Sequence, residues 1–151
     1  MFDILKCNAD PSDYDFEKFY SYNSIKGSIA HADNLKSSVK FRNKKTLIML
    51  KEYDFDIGSV KNIAEKRKAC FLIDLNTVIK SSGIQRSLRI SRLRTFLEQC
   101  NKHGAFYAFA SFTEEKNQVR YPEELMHIAM LFGINKGQAR FALNMLDHYL
   151  E

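Results

Sequence analysis

Two rhythms of apolar residues alternate along this chain, and each change of rhythm marks the boundary of an element. Residues 69–75 are an almost unbroken apolar run, as expected of a strand covered on both faces. Residues 85–103 change to helical spacing, with Ile90, Leu93, Phe96, Leu97 and Cys100 in one sector, and Gly104 suits the left-handed position past the helix end. Residues 105–110 return to an unbroken apolar run. Upstream, 46–50 reads as a strand and 58–67 as a helix that turns Val60, Ile63 and Ala64 inward and Lys61 and Lys66, with Lys68 beyond, outward. Downstream, Pro122 fits a first helical turn, and Leu125, Ile128, Ala129 and Phe132 form the stripe behind it. Gly133 breaks that helix and Asn135 caps the next, which buries Ala139, Ala142, Leu143 and Leu146.

The first third is less regular. Residues 2–6 suggest a short strand, ended by Asn8-Ala9-Asp10-Pro11. Aromatic residues crowd 14–22 and predict a short helix packed through Phe16, Phe19 and Tyr20. Residues 27–31 form a second strand candidate, and Asp33-Asn34 is placed to cap a short helix. The aromatic excess in the first fifty residues serves either the core or a protein interface. Strands alternating with helices imply an α/β fold with a parallel sheet, open or wrapped toward a barrel.

At 151 residues the chain has material for one good core, so 1–151 is read as one domain. A composition of 45% hydrophobic and 27% charged residues is ordinary for a globular protein, and no apolar run approaches the ~20 residues of a membrane span. Met1-Phe2-Asp3-Ile4-Leu5-Lys6 does not resemble a secretory signal, so the expected location is the cytoplasm. Cys7, Cys70 and Cys100, and His31, His103, His127 and His148, lie far apart and show no spacing that suggests a bound metal.

Charge changes the picture more than composition does. Residues 1–33 hold six acids and three bases, residues 34–120 eighteen bases and eight acids, and residues 121–151 two bases and four acids. The middle of the chain thus carries +10 between flanks of −3 and −2. Such a local excess suits a polyanion, nucleic acid above all. Its densest run, Lys40, Arg42, Lys44 and Lys45 interleaved with Phe41, fits phosphate binding with base stacking, or else a solvated turn before a strand.

The predicted helix at 85–103 carries Arg86, Arg89, Arg92 and Arg94. By helical angle Arg86 and Arg89 fall in the apolar sector, but they precede Leu93, so both are expected to look inward over the rim formed by the strand ends. There they either face a ligand or pair with Asp74 or Glu114. Arg92 and Arg94 leave on other faces, toward phosphate or toward solvent.

Several blocks in fixed order resemble one family. They are residues 69–76, Gly83 and Arg86, then 93–97 to Cys100-Asn101-Lys102-His103, then Ala110-Ser111, Arg120-Tyr121-Pro122-Glu123-Glu124-Leu125, Phe132-Gly133-Ile134, and Ala139 with Ala142-Leu143. Together they resemble the 30 kDa protein subunit, or protein component 3, of archaeal and eukaryotic ribonuclease P, over about the last 95 residues from Asp54. The resemblance implies a TIM-like barrel related to metal-dependent phosphoesterases but without their metal chemistry. It implies binding to ribonuclease P RNA beside a small partner protein, while the RNA itself removes the 5′ leader of precursor tRNA. The chain would then carry no cofactor, magnesium would sit on the RNA, and precursor tRNA would be contacted indirectly. Arg120, which opens the Pro122 block, either contacts RNA or anchors that helix. The chain is short for the family, which implies missing strand–helix units, and Tyr121 and Phe112 stand where small residues are usual.

Two other classes are open. A metal-dependent phosphoesterase would use Asp3, His31, Asp54 and Asp74 at strand ends, although such sites need more histidines. A helix-turn-helix DNA-binding regulator would use Lys136, Gln138 and Arg140 on the helix after Gly133, against the −2 charge of that segment.

Overall fold

The computed structural model describes residues 1–150. Among them run six strands and eight helices. The strands are β1 (Phe2–Leu5), β2 (Lys18–Ser21), β3 (Ile29–Ala32), β4 (Leu47–Leu50), β5 (Cys70–Asp74) and β6 (Phe106–Ala110). The helices are α1 (Tyr22–Ile25), α2 (Leu35–Ser38), α3 (Ile57–Lys66), α4 (Asn76–Ile79), α5 (Gly83–His103), α6 (Pro122–Met130), α7 (Lys136–Asn144) and α8 (Leu146–Leu150). No helix among the described residues is long and apolar enough to cross a membrane.

All strand pairs are parallel. β1 pairs with β2, and β3-β4-β5-β6 form a four-stranded sheet in chain order. The two sheets meet just past β6, where the Phe112 amide donates to the Ile4 carbonyl at 2.9 Å and the Lys6 amide to the Thr113 carbonyl at 2.8 Å. The strands thus follow the order β2-β1-β6-β5-β4-β3. Among the described residues no ladder joins β2 to β3, so the alternation expected from the sequence is present but the barrel is not closed.

Alternating strand residues feed two apolar layers. Phe71, Ile73, Tyr107 and Phe109 pack against the helices with Leu93, Phe96, Leu97, Leu125, Ala139 and Leu143. Cys70, Leu72, Ala108 and Ala110 face a narrower layer with Ile4, Tyr20, Phe112 and Leu146. Capping follows the sequence closely. Asn34 and Asn135 each accept the amide three residues on, at 2.9 and 2.8 Å. Gly104 and Gly133 hold φ values of 76° and 83°, which residues with a Cβ rarely adopt.

The expected helix over 14–22 is not there. A 3-10 turn (Pro11–Tyr14) begins at Asp10, whose carboxylate accepts the Ser12 amide at 3.0 Å, and it ends at Asp15 with φ 62°. The chain then enters β2. Phe16, Phe19 and Tyr20 fit helical spacing, but Phe19 packs on one layer and Tyr20 on the other, which is the period of a strand buried on both sides. Phe16 and Tyr20 are buried, so much of the early aromatic excess builds core.

Phe112 is 1% exposed and adopts φ 48°, with its ring edge-on to Tyr22 at 5.7 Å. Replacing Phe112 with alanine is expected to destabilise the protein by about 3–5 kcal/mol, read by urea denaturation, because it opens a cavity where the two sheets join.

Candidate nucleic-acid interface

A polar cluster sits where the sheets join. Asp3 is 0% exposed. Its Oδ1 accepts the amides of Ile4 at 2.8 Å and Ser111 at 2.7 Å, and its Oδ2 accepts the Ser111 hydroxyl at 2.5 Å. Ser111 Oγ lies 2.7 Å from Thr113 Oγ1. Loss of hydration outweighs these donors and pushes the Asp3 carboxyl up to about 6. Burial likewise pushes Asp74, at the end of β5, up to about 6, and its Oδ1 accepts the Asn76 amide at 2.8 Å. Lys6, the first residue past β1, holds its ammonium 5.0 Å from the Tyr22 ring and 5.9 Å from that of Phe112. The sequence reading passed over Lys6. Its position directly behind an apolar strand was the available signal.

A cleft of about 410 Å³ lies between the carboxyl ends of β4 and β5 and the flank of α5, with Arg89 and Arg92 facing Lys51, Glu52 and Asp74. Arg89 Nη1 donates to the Thr77 carbonyl at 2.6 Å, and Arg86 Nη2 to the Ile79 carbonyl at 3.0 Å. Both guanidiniums therefore bind main-chain carbonyls of α4, and no ion pair joins either to Asp74 or Glu114. Glu114 is held instead by Lys80 at 2.9 Å. Both side chains turn toward α4 at the rim, as their helical angle predicts, but they stay exposed and bond carbonyls there instead of pairing with Asp74 or Glu114. The first two turns of α5 extend past the packed body, leaving Ile84 80% and Leu88 51% exposed. Arg94 Nη2 donates to the Leu131 carbonyl at 2.9 Å and lies over Gly133, holding the end of α6.

Arg120 pairs with Glu124 at 3.5 Å on the approach to α6 and borders the same surface as Arg86. The basic run lies at the opposite end of the sheet, before β4. Lys40 and Lys44 hold their ammonium groups 5.1 and 6.0 Å from the Phe41 ring, Lys45 stands 5.9 Å from the Tyr149 ring, and Arg42 Nη1 bonds the Val39 carbonyl at 3.0 Å. The nine cations singled out in the sequence thus do not form one surface. Arg86, Arg89, Arg92 and Arg120 lie toward the carboxyl ends of the strands, Arg94 beside α6, and Lys40, Arg42, Lys44 and Lys45 toward the amino ends.

The sequence matches no family model and no curated protein. The fold does have a counterpart among solved structures. A chain in the cryo-EM structure of archaeal ribonuclease P with mature tRNA superposes with a TM-score of 0.68 at 12% identity, covering 99% of this chain and 78% of that one. The two share a fold.

Within this fold the phosphoesterase candidates do not converge. Asp54 accepts the Leu35 amide at 2.9 Å, Asp3 and Asp74 are engaged as above, and His31 is exposed on β3. Among the described residues no three His, Cys, Asp or Glu side chains stand close enough to hold a metal ion. Of the helix-turn-helix candidates, Lys136 is paired with Glu123 at 2.5 Å, the Gln138 side chain accepts the Asn135 amide at 2.9 Å and Arg140 is exposed, while α7 buries Ala139, Ala142 and Leu143 on its other face.

Asp3 makes stability depend on pH in a direction opposite to that of a salt-bridged carboxylate. Its folded value of about 6 lies above the unfolded value of 3.8, so the folded state binds the proton more tightly. That stabilisation is complete below the unfolded value and is lost as pH rises through the folded one. Asp3→Asn keeps the acceptor for both amides and supplies a donor for Ser111. From about pH 4 to pH 7, wild-type stability is expected to fall by on the order of 2 kcal/mol relative to the variant, measured by urea denaturation at each pH.

Proposed function

We propose that this chain is a protein subunit of ribonuclease P, of the 30 kDa (protein component 3) type, that binds the catalytic RNA beside a small partner protein. The observation that carries this reading is the fold match over 99% of the chain to a chain of archaeal ribonuclease P with mature tRNA. At 12% identity that likeness is geometric, so it supports the reading independently of the ordered motifs between Asp54 and Leu143. The basic midsection adds a physical reason. A folded RNA packs phosphates close together, and a rigid protein surface that neutralises some of them lowers the magnesium required for the same compaction. Cleavage of the 5′ leader of precursor tRNA, and the magnesium it uses, belong to the RNA, and the protein contacts the tRNA through it. The carboxylates of Asp3, Asp54 and Asp74 satisfy main-chain amides, which suits a scaffold rather than a hydrolytic centre.

Reconstitution tests this. Ribonuclease P RNA with the partner protein, with and without this chain, is assayed for leader cleavage as magnesium is lowered. The chain is expected to move the half-maximal magnesium concentration down severalfold and to cleave nothing by itself. An unchanged magnesium dependence, or phosphodiester hydrolysis by the pure chain, contradicts the assignment.

A further inference from the structure

We propose that the amino-terminal end of the four-stranded sheet, rather than the arginine-lined rim opposite, is the phosphate-binding face of this protein, and that it seats the helical backbone of a folded RNA. The proposal rests on the RNA-binding reading above and deepens it by naming the surface.

Parallel topology sorts the loops into two sets, because each segment leading into a strand lies at one end of the sheet and each segment leading out lies at the other. The segments into β3, β4, β5 and β6 are residues 26–28, 42–46, 66–69 and 101–105, and together they hold eight lysines and arginines and no acid. The segments out of the same strands, 33–34, 51–56, 75–82 and 111–121, hold six acids and four bases, and Asp74 at the end of β5 adds a seventh acid. Arg86, Arg89 and Arg92 reach that second end and bring it only to balance. A polyanion meets an excess of positive charge at one end and a mixed surface at the other.

The lead-in segments are also physically adjacent. Thr46 Oγ1 donates to the Ser28 carbonyl at 3.3 Å, the Cys70 amide donates to the Thr46 carbonyl at 2.9 Å, and Cys70 lies opposite Phe106 in the ladder. Tyr149 of α8 gathers two of them, since its hydroxyl donates to the Lys68 carbonyl at 2.9 Å while Lys45 stands 5.9 Å from its ring. With strands ~4.8 Å apart, the row from Lys26 to Lys102 crosses roughly 15 Å, enough for several phosphates.

Local structure accounts for part of this charge. Lys66 and Lys102 lie in the last turns of α3 and α5, where any cation is favoured by the helix dipole. The other six have no such reason, and none of the eight enters an ion pair among the described residues. Of the nearest acids along the chain, Glu65 directly precedes Lys66 in the last turn of α3, and Glu98 lies farther back in α5. The two rings bordering this face, Phe41 and Tyr149, are half-buried and each lies beside a lysine ammonium, which leaves little open ring surface for stacking unpaired bases. Point charges without stacking suit the continuous backbone of a duplex region and imply little sequence preference.

The test compares two triple variants of equal charge change, K45Q/K68Q/K102Q at the amino-terminal end and K51Q/K80Q/K116Q at the opposite end. Both are expected to melt like wild type, since all six side chains are exposed. Binding of a fluorescent RNA hairpin is followed by anisotropy over a salt series. The first variant is expected to lose about tenfold or more in affinity, with a salt slope reduced by about two to three, while the second matches wild type. Equal losses in the two variants, no hairpin binding by wild type, or preference for phosphatidylserine vesicles over the hairpin at equal phosphate overturns the proposal. The same variants in the cleavage reconstitution separate the two claims. If the magnesium shift persists undiminished in K45Q/K68Q/K102Q, the surface is wrong and the ribonuclease P reading stands. If hairpin binding depends on this face but no magnesium shift occurs with wild type, the surface stands and the ribonuclease P reading falls.

Discussion

The buried carboxylate of Asp3 sets the geometry on which the rest of the molecule depends. Placing a carboxyl group out of water costs several kcal/mol unless donors surround it. Here three donors do so, two of them from Ser111, which lies 108 residues away along the chain. The β1–β2 pair shares no long ladder with the four-stranded sheet, so this cluster and the two main-chain bonds beside it define how the pair docks. Any slip of register would strand Asp3 without partners. The left-handed backbone of Phe112 follows from the same constraint, since the chain must turn its ring inward while its amide still reaches the Ile4 carbonyl.

Once the strands are aligned in parallel, the distribution of charge stops being a property of composition. The same excess of lysine and arginine could have surrounded the sheet evenly. Instead the acids collect in the loops that leave the strands and the bases in the loops that lead in. Arginines on α5 then serve the acidic end, where Arg86 and Arg89 also satisfy carbonyls of α4 and so keep that short helix in place.

Much of this was legible from the chain, and the failures have physical causes. Unbroken apolar runs located β4, β5 and β6 because a strand covered on both faces tolerates no polar face. Asn34, Gly104, Gly133 and Asn135 marked helix ends because each has a conformational or capping role that few residues fill. Residues 14–22 misled because spacings of three and four satisfy a helix while adjacent aromatics also satisfy a doubly buried strand, and pairing with β1 decided between them. For Arg86 and Arg89 the helical angle was a sound guide to direction around α5, but periodicity carries no information about where the neighbouring body ends. The basic face was written plainly in front of each apolar run. Only the run at Arg42, Lys44 and Lys45 stood out, because the other parts are distant in sequence and only strand order brings them together.

The last helix draws together segments made at very different times. Tyr20 donates to Asp147, 127 residues onward, and Tyr149 donates to the carbonyl of Lys68, 81 residues back. Contacts of such long sequence separation form late, because the intervening chain must first surrender its freedom. During synthesis, the layer containing Ile4, Tyr20 and Leu72 stays uncovered until α8 has emerged from the ribosome. A chain in which α8 has not docked leaves that apolar layer without the cover of Leu146, and exposed apolar surface of this kind promotes aggregation.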